Sequence, residues 1–329
     1  MTIRRTAQRT AIVAAMLALI AVSATPARAL DEATLRLNWQ ILGMHTPFYY
    51  GVEKGFYKDE GIDLKISEGR GGGATAQAIG AKSDTFGMVD GGTVLVAAVR
   101  GVPIKTTLSL MNRGIFAIVA REDANIKTPK DLEGKSIAAT AGDALTQLLP
   151  AVIKYNNLDR DKIRIVNVDA ASKVVTVLEK RADALLGSVD AQSFDMAAKG
   201  VKSTMLPYDD IGVPLVGLTI VANEDTIKSN PDLIRRFNRA TQKSFEAAMK
   251  DPYGAVDAAR KVKPEINRDV CKDQLEISLA HVPSDNTKGK PLGWGSDKDW
   301  SNMLALLKEY QNLQTDRPAS SFFTNDFVQ

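Results

Sequence analysis

Side chains that perform metal or nucleophilic chemistry are scarce in this sequence. The 329 residues contain one cysteine, Cys271, and two histidines, His45 and His281. A single cysteine rules out an internal disulfide and a cysteine-rich metal site, and two histidines are too few for a histidine-rich metal centre. The chain has no G-x-S-x-G elbow and no H-E-x-x-H helix. We therefore expect no metal and no cofactor, while acid–base pairs among the many carboxylates remain an open alternative.

Residues suited to binding follow several strand-like runs. Ligands of open α/β sheets lie beyond the carboxyl ends of the strands, where loops and helix N-termini converge. The candidate ligand-binding residues are Trp39, His45, Phe48, Tyr49, Gly71, Gly72, Gly73, Asp90, Gly91, Asn112, Arg113, Gly142, Asp143, Ser188 and Asp190.

The aromatic candidates favour a planar nitrogen heterocycle as the ligand. A large ring at a strand end, such as Trp39, stacks well on such a compound; its alternative role is to cap the core. His45 offers one donor and one acceptor when neutral, with simple surface exposure as the alternative. Phe48 and Tyr49 add aromatic surface close by.

The polar candidates leave a second ligand class open. Backbone amides at 71–73 open a helix and can bind a carboxylate, sulfonate or phosphate, although glycine-rich turns are also common connectors. Asp90 and Asp190 can accept hydrogen bonds from an amine or a ring N–H, or can cap helices. Arg113 pairs with an anion or faces solvent. A small oxyanion is therefore the next candidate after the heterocycle.

The elements that position these residues alternate between strand and helix. Strand-like runs lie at 34–39, 63–67, 85–89, 104–110, 115–121, 136–140, 163–168, 184–188, 203–207 and 217–223. Helical spacing of apolar residues lies between them, at 46–54, 74–82, 92–100, 144–156, 171–180 and 192–199. This pattern predicts an α/β fold with parallel sheets flanked by helices. After residue 223 the pattern predicts amphipathic helices without strands.

Two strong apolar runs, 115–121 and 217–223, bracket a self-contained α/β stretch. We interpret them as the crossings that carry the chain between two lobes, with a ligand cleft between the lobes and the crossings as hinge. The predicted divisions are 30–117 for the first part of lobe one, 118–219 for lobe two and 220–329 for the second part of lobe one.

The N-terminus predicts a secreted protein. Basic residues precede an apolar stretch at 11–24, and Ala27-Arg28-Ala29 fits signal-peptidase cleavage, so we expect a signal peptide at 1–29. The leader holds four arginines and no acidic residue, which leaves 38 basic against 39 acidic residues in the mature chain. No basic patch for nucleic acid remains.

A resemblance to a known family rests on the sequence PFYYGVEKGFYKDEGIDL at 47–64. This segment resembles the opening of the periplasmic binding proteins of the sulfonate, nitrate and thiamine-precursor import group, the SsuA/THI5-like or NMT1 family, with Gly51 where alanine is usual. RGGG at 70–73, FGMVDG at 86–91 and TPKDLEGK at 128–135 extend the resemblance. The spacing of Trp39 and His45 is similar to the pyrimidine-precursor branch, although QIL at 40–42 replaces that branch's usual Pro-Asn.

The resemblance implies a type II periplasmic binding fold that closes by hinge motion. It further implies a periplasmic substrate-binding component that delivers its small molecule to the permease of an ABC importer, and we expect a monomer that is not an enzyme. The alternatives are an enzyme similar to the eukaryotic pyrimidine synthases, whose cysteine-rich motif Cys271 alone cannot supply, and a ligand-sensing partner of a receptor.

Overall fold

The computed structural model describes residues 29–141 and 143–329, and this part of the chain holds ten strands. They are β1 (Asp31–Arg36), β2 (Ile62–Ser67), β3 (Phe86–Asp90), β4 (Ile104–Leu108), β5 (Phe116–Arg121), β6 (Ser136–Ala139), β7 (Arg164–Asn167), β8 (Ala184–Ser188), β9 (Ser203–Pro207) and β10 (Leu218–Asn223). Each predicted run overlaps one of these strands, and the α/β class is confirmed. The predicted signal peptide lies outside the described residues, apart from Ala29.

Helices fill the intervals between the strands and form the C-terminal part. They are α1 (Thr46–Glu53), α2 (Phe56–Asp59), α3 (Gly72–Gly80), α4 (Gly91–Val99), α5 (Ala144–Tyr155), α6 (Lys173–Leu178), α7 (Gln192–Ala197), α8 (Glu224–Ser229), α9 (Pro231–Lys250), α10 (Pro252–Val262), α11 (Arg268–Leu279) and α12 (Asp297–Tyr310). Aspartate and asparagine side chains cap several of them, as the sequence pattern leads one to expect.

The strands form two five-stranded sheets, with the orders β2-β1-β3-β10-β4 and β7-β6-β8-β5-β9. We call the parts built on these sheets lobe one and lobe two. The prediction of parallel sheets is wrong for two strands. β10 runs antiparallel to β3 and β4, and β5 runs antiparallel to β8 and β9.

The exceptions have a topological cause. The connections between the sheets are residues 109–115 and 208–217, and each leads directly into β5 or β10. A helical crossover returns the chain to the end of the sheet where the previous strand began, so the next strand is parallel to it. A chain that arrives from the other lobe enters at the end facing that lobe, so its strand runs in the opposite direction. The predicted crossing runs at 115–121 and 217–223 are therefore mainly these two strands, and the crossings lie just before them. The predicted divisions at 117 and 219 remain predictions.

The C-terminal helices pack on lobe one. Phe237 of α9 stacks on Phe86 of β3 with ring centroids 3.7 Å apart, and the Asn238 side chain donates to the carbonyl of Thr107 at 2.8 Å. Helix α12 contacts both α4 of lobe one and α5 of lobe two. Throughout the described ranges, each helix falls short of the combined length and hydrophobicity needed to cross a membrane.

Candidate ligand-binding cleft

A cleft of about 560 Å³ lies between the two lobes. Loops at strand ends and helix N-termini of both sheets line it, as expected for ligand sites of α/β folds. The predicted site residues that it brings together are Trp39, Gly71, Gly72, Gly73, Asp90, Asp143, Ser188 and Asp190. The cleft lining does not include the candidates His45, Phe48, Tyr49, Gly91, Asn112 and Arg113. Gly142 lies outside the described residues.

Trp39 stands at the cleft mouth on the loop that follows β1. Trp39 is 43% exposed, which leaves part of its indole surface available to a ligand. The loop is anchored by its backbone, because the Gly69 amide donates to the Trp39 carbonyl at 3.1 Å and the Gly71 amide donates to the Asn38 carbonyl at 2.8 Å. A side chain at position 69 would overlap the carbonyl oxygen of Leu37, so this close approach requires glycine.

His45 lies beneath the cleft and is fully buried, so neither ligand contact nor surface exposure describes its position. Its Nδ1 accepts the Leu42 amide hydrogen at 2.9 Å, which puts the ring proton on Nε2. That Nε2–H donates to Oδ1 of Asn38 at 2.8 Å. Burial lowers the pKa of His45 to about 3, against the opposing effect of the Glu68 carboxylate. His45 therefore positions Asn38, a cleft-lining residue that sequence reasoning missed.

Phe48 and Tyr49 belong to the core of lobe one rather than to the cleft. Phe48 is fully buried and meets Phe245 edge to face at 5.3 Å between ring centroids. Tyr49 is also buried, and burial together with the Glu68 carboxylate raises the pKa of its hydroxyl. The first turn of α1 packs inward against α9. The aromatic helix start is therefore a packing feature.

Two helix N-termini meet at the lobe-one wall of the cleft. Helix α3 begins at Gly72, and Asp90 caps α4 by accepting the Thr93 amide hydrogen at 2.9 Å. A Cβ built on Gly72 would lie 3.1 Å from Oδ2 of Asp90, so the carboxylate sits directly over the start of α3. Burial raises the pKa of Asp90. Gly91 packs closely against Val216 and Met303, since a Cβ built on it would lie 2.9 Å from each of them.

The lobe-two wall carries a buried lysine that sequence reasoning missed. Lys173 lines the cleft at the start of α6 and is 5% exposed. Its Nζ donates to the Leu186 carbonyl at 2.7 Å and lies 3.7 Å from Oδ2 of Asp143, which itself caps α5 through Thr146. Burial lowers the pKa of Lys173, and Asp143 opposes that effect. The only sequence signal was a lysine opening an otherwise apolar helix.

Asp190 is a fully buried carboxyl group at the cleft, just after β8. Its Oδ2 accepts a hydrogen bond of 3.4 Å from the Ser278 hydroxyl on α11, which links lobe two to the C-terminal helices. Its Oδ1 has no partner among residues 29–141 and 143–329. Burial raises the pKa of Asp190, and the nearby Ser188 and Ser278 hydroxyls oppose that effect. An unpartnered buried oxygen is costly, so a ligand donor group would stabilise it. The adjacent Ser188 is tied by its amide to Gln192.

Asn112 and Arg113 line a separate cavity of about 620 Å³ beside the connections between the lobes. The Asn112 side chain donates to the carbonyls of Val282 and Trp294. Arg113 donates to Asp209 at 2.6 Å and to Asp210 at 3.1 Å. Because residue 113 belongs to one connection and residues 209 and 210 to the other, this ion pair ties the connections together. The structure thus places both residues at the connections between the lobes, outside the cleft.

Two lobes built on five-stranded sheets, joined by paired connections and separated by a cleft, define a periplasmic binding protein fold. The aliphatic sulphonate binding protein SsuA of Escherichia coli has this fold and superposes with a TM-score of 0.69 at 13% identity, over 89% of this chain and 97% of that one. A profile of the NMT1/THI5-like family matches residues 43–255. The chain belongs to the NMT1/THI5-like family.

Curated relatives of the chain carry names of two kinds. The riboflavin-binding protein RibY of Chloroflexus aurantiacus is 24% identical over 306 residues, 91% of this chain and 86% of that protein. The formylaminopyrimidine-binding protein of Halalkalibacterium halodurans is 20% identical over 92% of both chains. A 4-amino-5-hydroxymethyl-2-methylpyrimidine phosphate synthase of Uromyces fabae is 24% identical over 91% of this chain and 88% of the synthase.

Proposed function

We propose that this chain is the periplasmic substrate-binding component of an ABC importer that captures a planar nitrogen heterocycle, such as a thiamine pyrimidine precursor, by hinge closure. The observation that carries the proposal is the pairing, in one interlobe cleft, of the exposed Trp39 ring with the unpartnered carboxyl oxygen of Asp190. The ring stacks on the heterocycle, and the oxygen accepts an N–H group at its edge.

Closure follows from the placement of these groups on both lobes. Trp39, Asn38 and Asp90 line the lobe-one wall, while Lys173 and Asp190 line the lobe-two wall. A ligand that contacts both walls favours the closed state by its differential affinity for that state. The permease in the inner membrane then recognises the closed form. This role requires export through the predicted signal peptide and a monomer in the periplasm.

The competing function is that of a pyrimidine synthase, and a relative of similar identity with that name supports considering it. The cysteine of this chain argues against thiol chemistry, because Cys271 is buried and burial raises the pKa of its thiol to about 12. A thiol that stays protonated at neutral pH is a poor nucleophile and metal ligand. We therefore propose binding without turnover.

A thermal-shift screen of the mature chain, residues 30–329, tests the proposal. The compounds are hydroxymethylpyrimidine, formylaminopyrimidine, riboflavin, methanesulfonate, nitrate and amino acids. A ligand at 100 times its dissociation constant stabilises the folded state by about 2.7 kcal/mol. We expect a shift with a pyrimidine, and recovery of that compound unchanged by mass spectrometry after incubation.

Other outcomes assign other functions. A shift with oxyanions alone contradicts the heterocycle proposal, and conversion of the pyrimidine to a product supports the synthase. If ligand binds but a pull-down from inner membranes with the liganded protein recovers a receptor and no importer permease, the receptor-partner alternative replaces the importer.

A further inference from the structure

The lobe-one wall of the cleft has the backbone arrangement of an anion site. Helices α3 and α4, each nine residues long, both begin there. The first amides of a helix lack intrahelical acceptors, and the macrodipole places partial positive charge at that end, so two such ends attract a negative group. The Gly71 amide donates to the Asn38 carbonyl, and Gly72 and Gly73 carry no side chain that would cover the start of α3. On backbone geometry alone, a sulfonate or nitrate would bind at this wall.

The protein places its own anion at this point. The Asp90 carboxylate lies between the two helix starts, with Oδ1 accepting from Thr93 at 2.9 Å and Oδ2 3.1 Å from a Cβ built on Gly72. A Cβ on Gly92 would lie 3.4 Å from Oδ1. Burial raises the pKa of Asp90, whereas hydrogen bonds from Thr93 and Gly92 favour its ionised form and oppose that effect. An oxyanion bound at the helix starts would stand within a few ångströms of that carboxylate and be repelled by it.

The opposite wall does not compensate for this charge. Lys173 is the buried cation there, and its Nζ is already committed to the Leu186 carbonyl and lies close to the Asp143 carboxylate. Asp190 adds a second buried carboxyl group whose Oδ1 is unpartnered within the described ranges. Arg100 also lines the cleft, but it follows the C-terminus of α4, about 13 Å along that helix from its capped start. Of the described residues that line the cleft, none at the paired helix starts is a cation, which suits a neutral ligand rich in N–H groups.

We propose that Asp90 is the specificity residue of the cleft: its carboxylate excludes oxyanions from the paired helix starts and accepts an N–H group of the ligand in their place. This inference rests on the proposed function only in taking the cleft as the ligand site. It assigns the discrimination between heterocycle and oxyanion to one side chain.

The test measures oxyanion affinity after the charge is removed. Asp90→Asn keeps a good helix cap and the size of the side chain, and Asp90→Ser provides a second capping residue without the charge in case the first variant misfolds. Isothermal titration with sodium methanesulfonate and with sodium nitrate, at pH 8 and fixed ionic strength, gives the affinities. Asp251→Asn is the matched control, because Asp251 also caps a helix, through Gly254, and lies outside the cleft.

We expect the Asp90 variants to bind at least one oxyanion about tenfold or more tightly than the wild type, with Asp251→Asn unchanged. The inference is overturned if neither Asp90 variant binds methanesulfonate or nitrate more tightly than the wild type does. The outcome is independent of the heterocycle screen: a wild type that binds no heterocycle defeats the proposed function, whereas heterocycle binding with unchanged oxyanion affinity in the variants defeats only this inference.

Discussion

Replacing His45 should reduce the acid sensitivity of the fold. In the native state His45 is buried and neutral, with a pKa lowered to about 3, whereas an unfolded histidine has a pKa of about 6.5. As the pH falls below 6.5, the unfolded chain takes up a proton that the folded chain refuses. The stability that the neutral ring contributes is therefore present above pH 6.5 and is lost progressively as the pH falls towards 3.

The size of the effect follows from the two pKa values. Each pH unit within this window costs about 1.4 kcal/mol of unfolding free energy, so going from pH 7 to pH 5 costs about 2 kcal/mol through this residue alone. His45→Asn keeps an acceptor for the Leu42 amide and removes both the titration and the bond to Asn38. We expect the variant to be about 1–3 kcal/mol less stable at pH 7.

Urea unfolding of both proteins at pH 7 and pH 5 measures the effect. Groups that titrate in both proteins cancel when the two pH-induced losses are subtracted, and the remaining difference should be about 2 kcal/mol in favour of the variant. His281→Ala is the control, because it removes the other histidine. It should still lose the roughly 2 kcal/mol of unfolding free energy that we assign to His45 between pH 7 and pH 5. Equal losses in wild type and His45→Asn would refute a neutral, buried His45.

Three further substitutions test the cleft and the hinge. A ligand that covers the exposed part of Trp39, 43% of the residue, buries about 100 Å² of ring, worth up to about 2.5 kcal/mol. Trp39→Ala should therefore weaken ligand binding by up to roughly 70-fold in calorimetric titration. Unchanged affinity would exclude stacking on this ring. Gly217→Ala would drive a Cβ into the carbonyl oxygen of Arg113 and should cost more than about 2 kcal/mol in thermal unfolding. Gly73→Ala meets no atom of the described residues within 4 Å, so it should leave the fold unchanged or stabilise it by up to about 1 kcal/mol. Equal melting temperatures for the two glycine variants would contradict the hinge contact.

Secondary structure was predictable because it depends on local periodicity. The buried runs of β3 and β10 and the helical spacing of α9 are readable in windows of a few residues. Strand direction was not, because the direction of β5 and β10 depends on the lobe from which the chain arrives. That information lies in the path of the whole chain rather than in either segment.

The same distinction explains the candidate site. The cleft positions of Trp39 and Asp90 could be predicted because the rule about strand ends depends only on the order of elements. Phe48 and His45 were misplaced because their burial is decided by α9 and α11, helices about 200 residues further along the chain. Lys173 was missed because a lysine at a helix start is ordinarily exposed, and only the tertiary structure supplies the Leu186 carbonyl that holds it.

The fold by itself does not determine the ligand class of this chain. The sulphonate-binding protein SsuA shares the fold, and the relatives named for binding riboflavin and formylaminopyrimidine are similar over about nine-tenths of this chain. Two helix N-termini that face a cleft can bind an anionic ligand when the space between them is free. When a carboxylate of the protein fills that space, the ligand cannot bind there. In this chain Asp90 occupies that space. A single side chain at the end of β3 can thus change the ligand class while the two sheets and the connections between them stay the same.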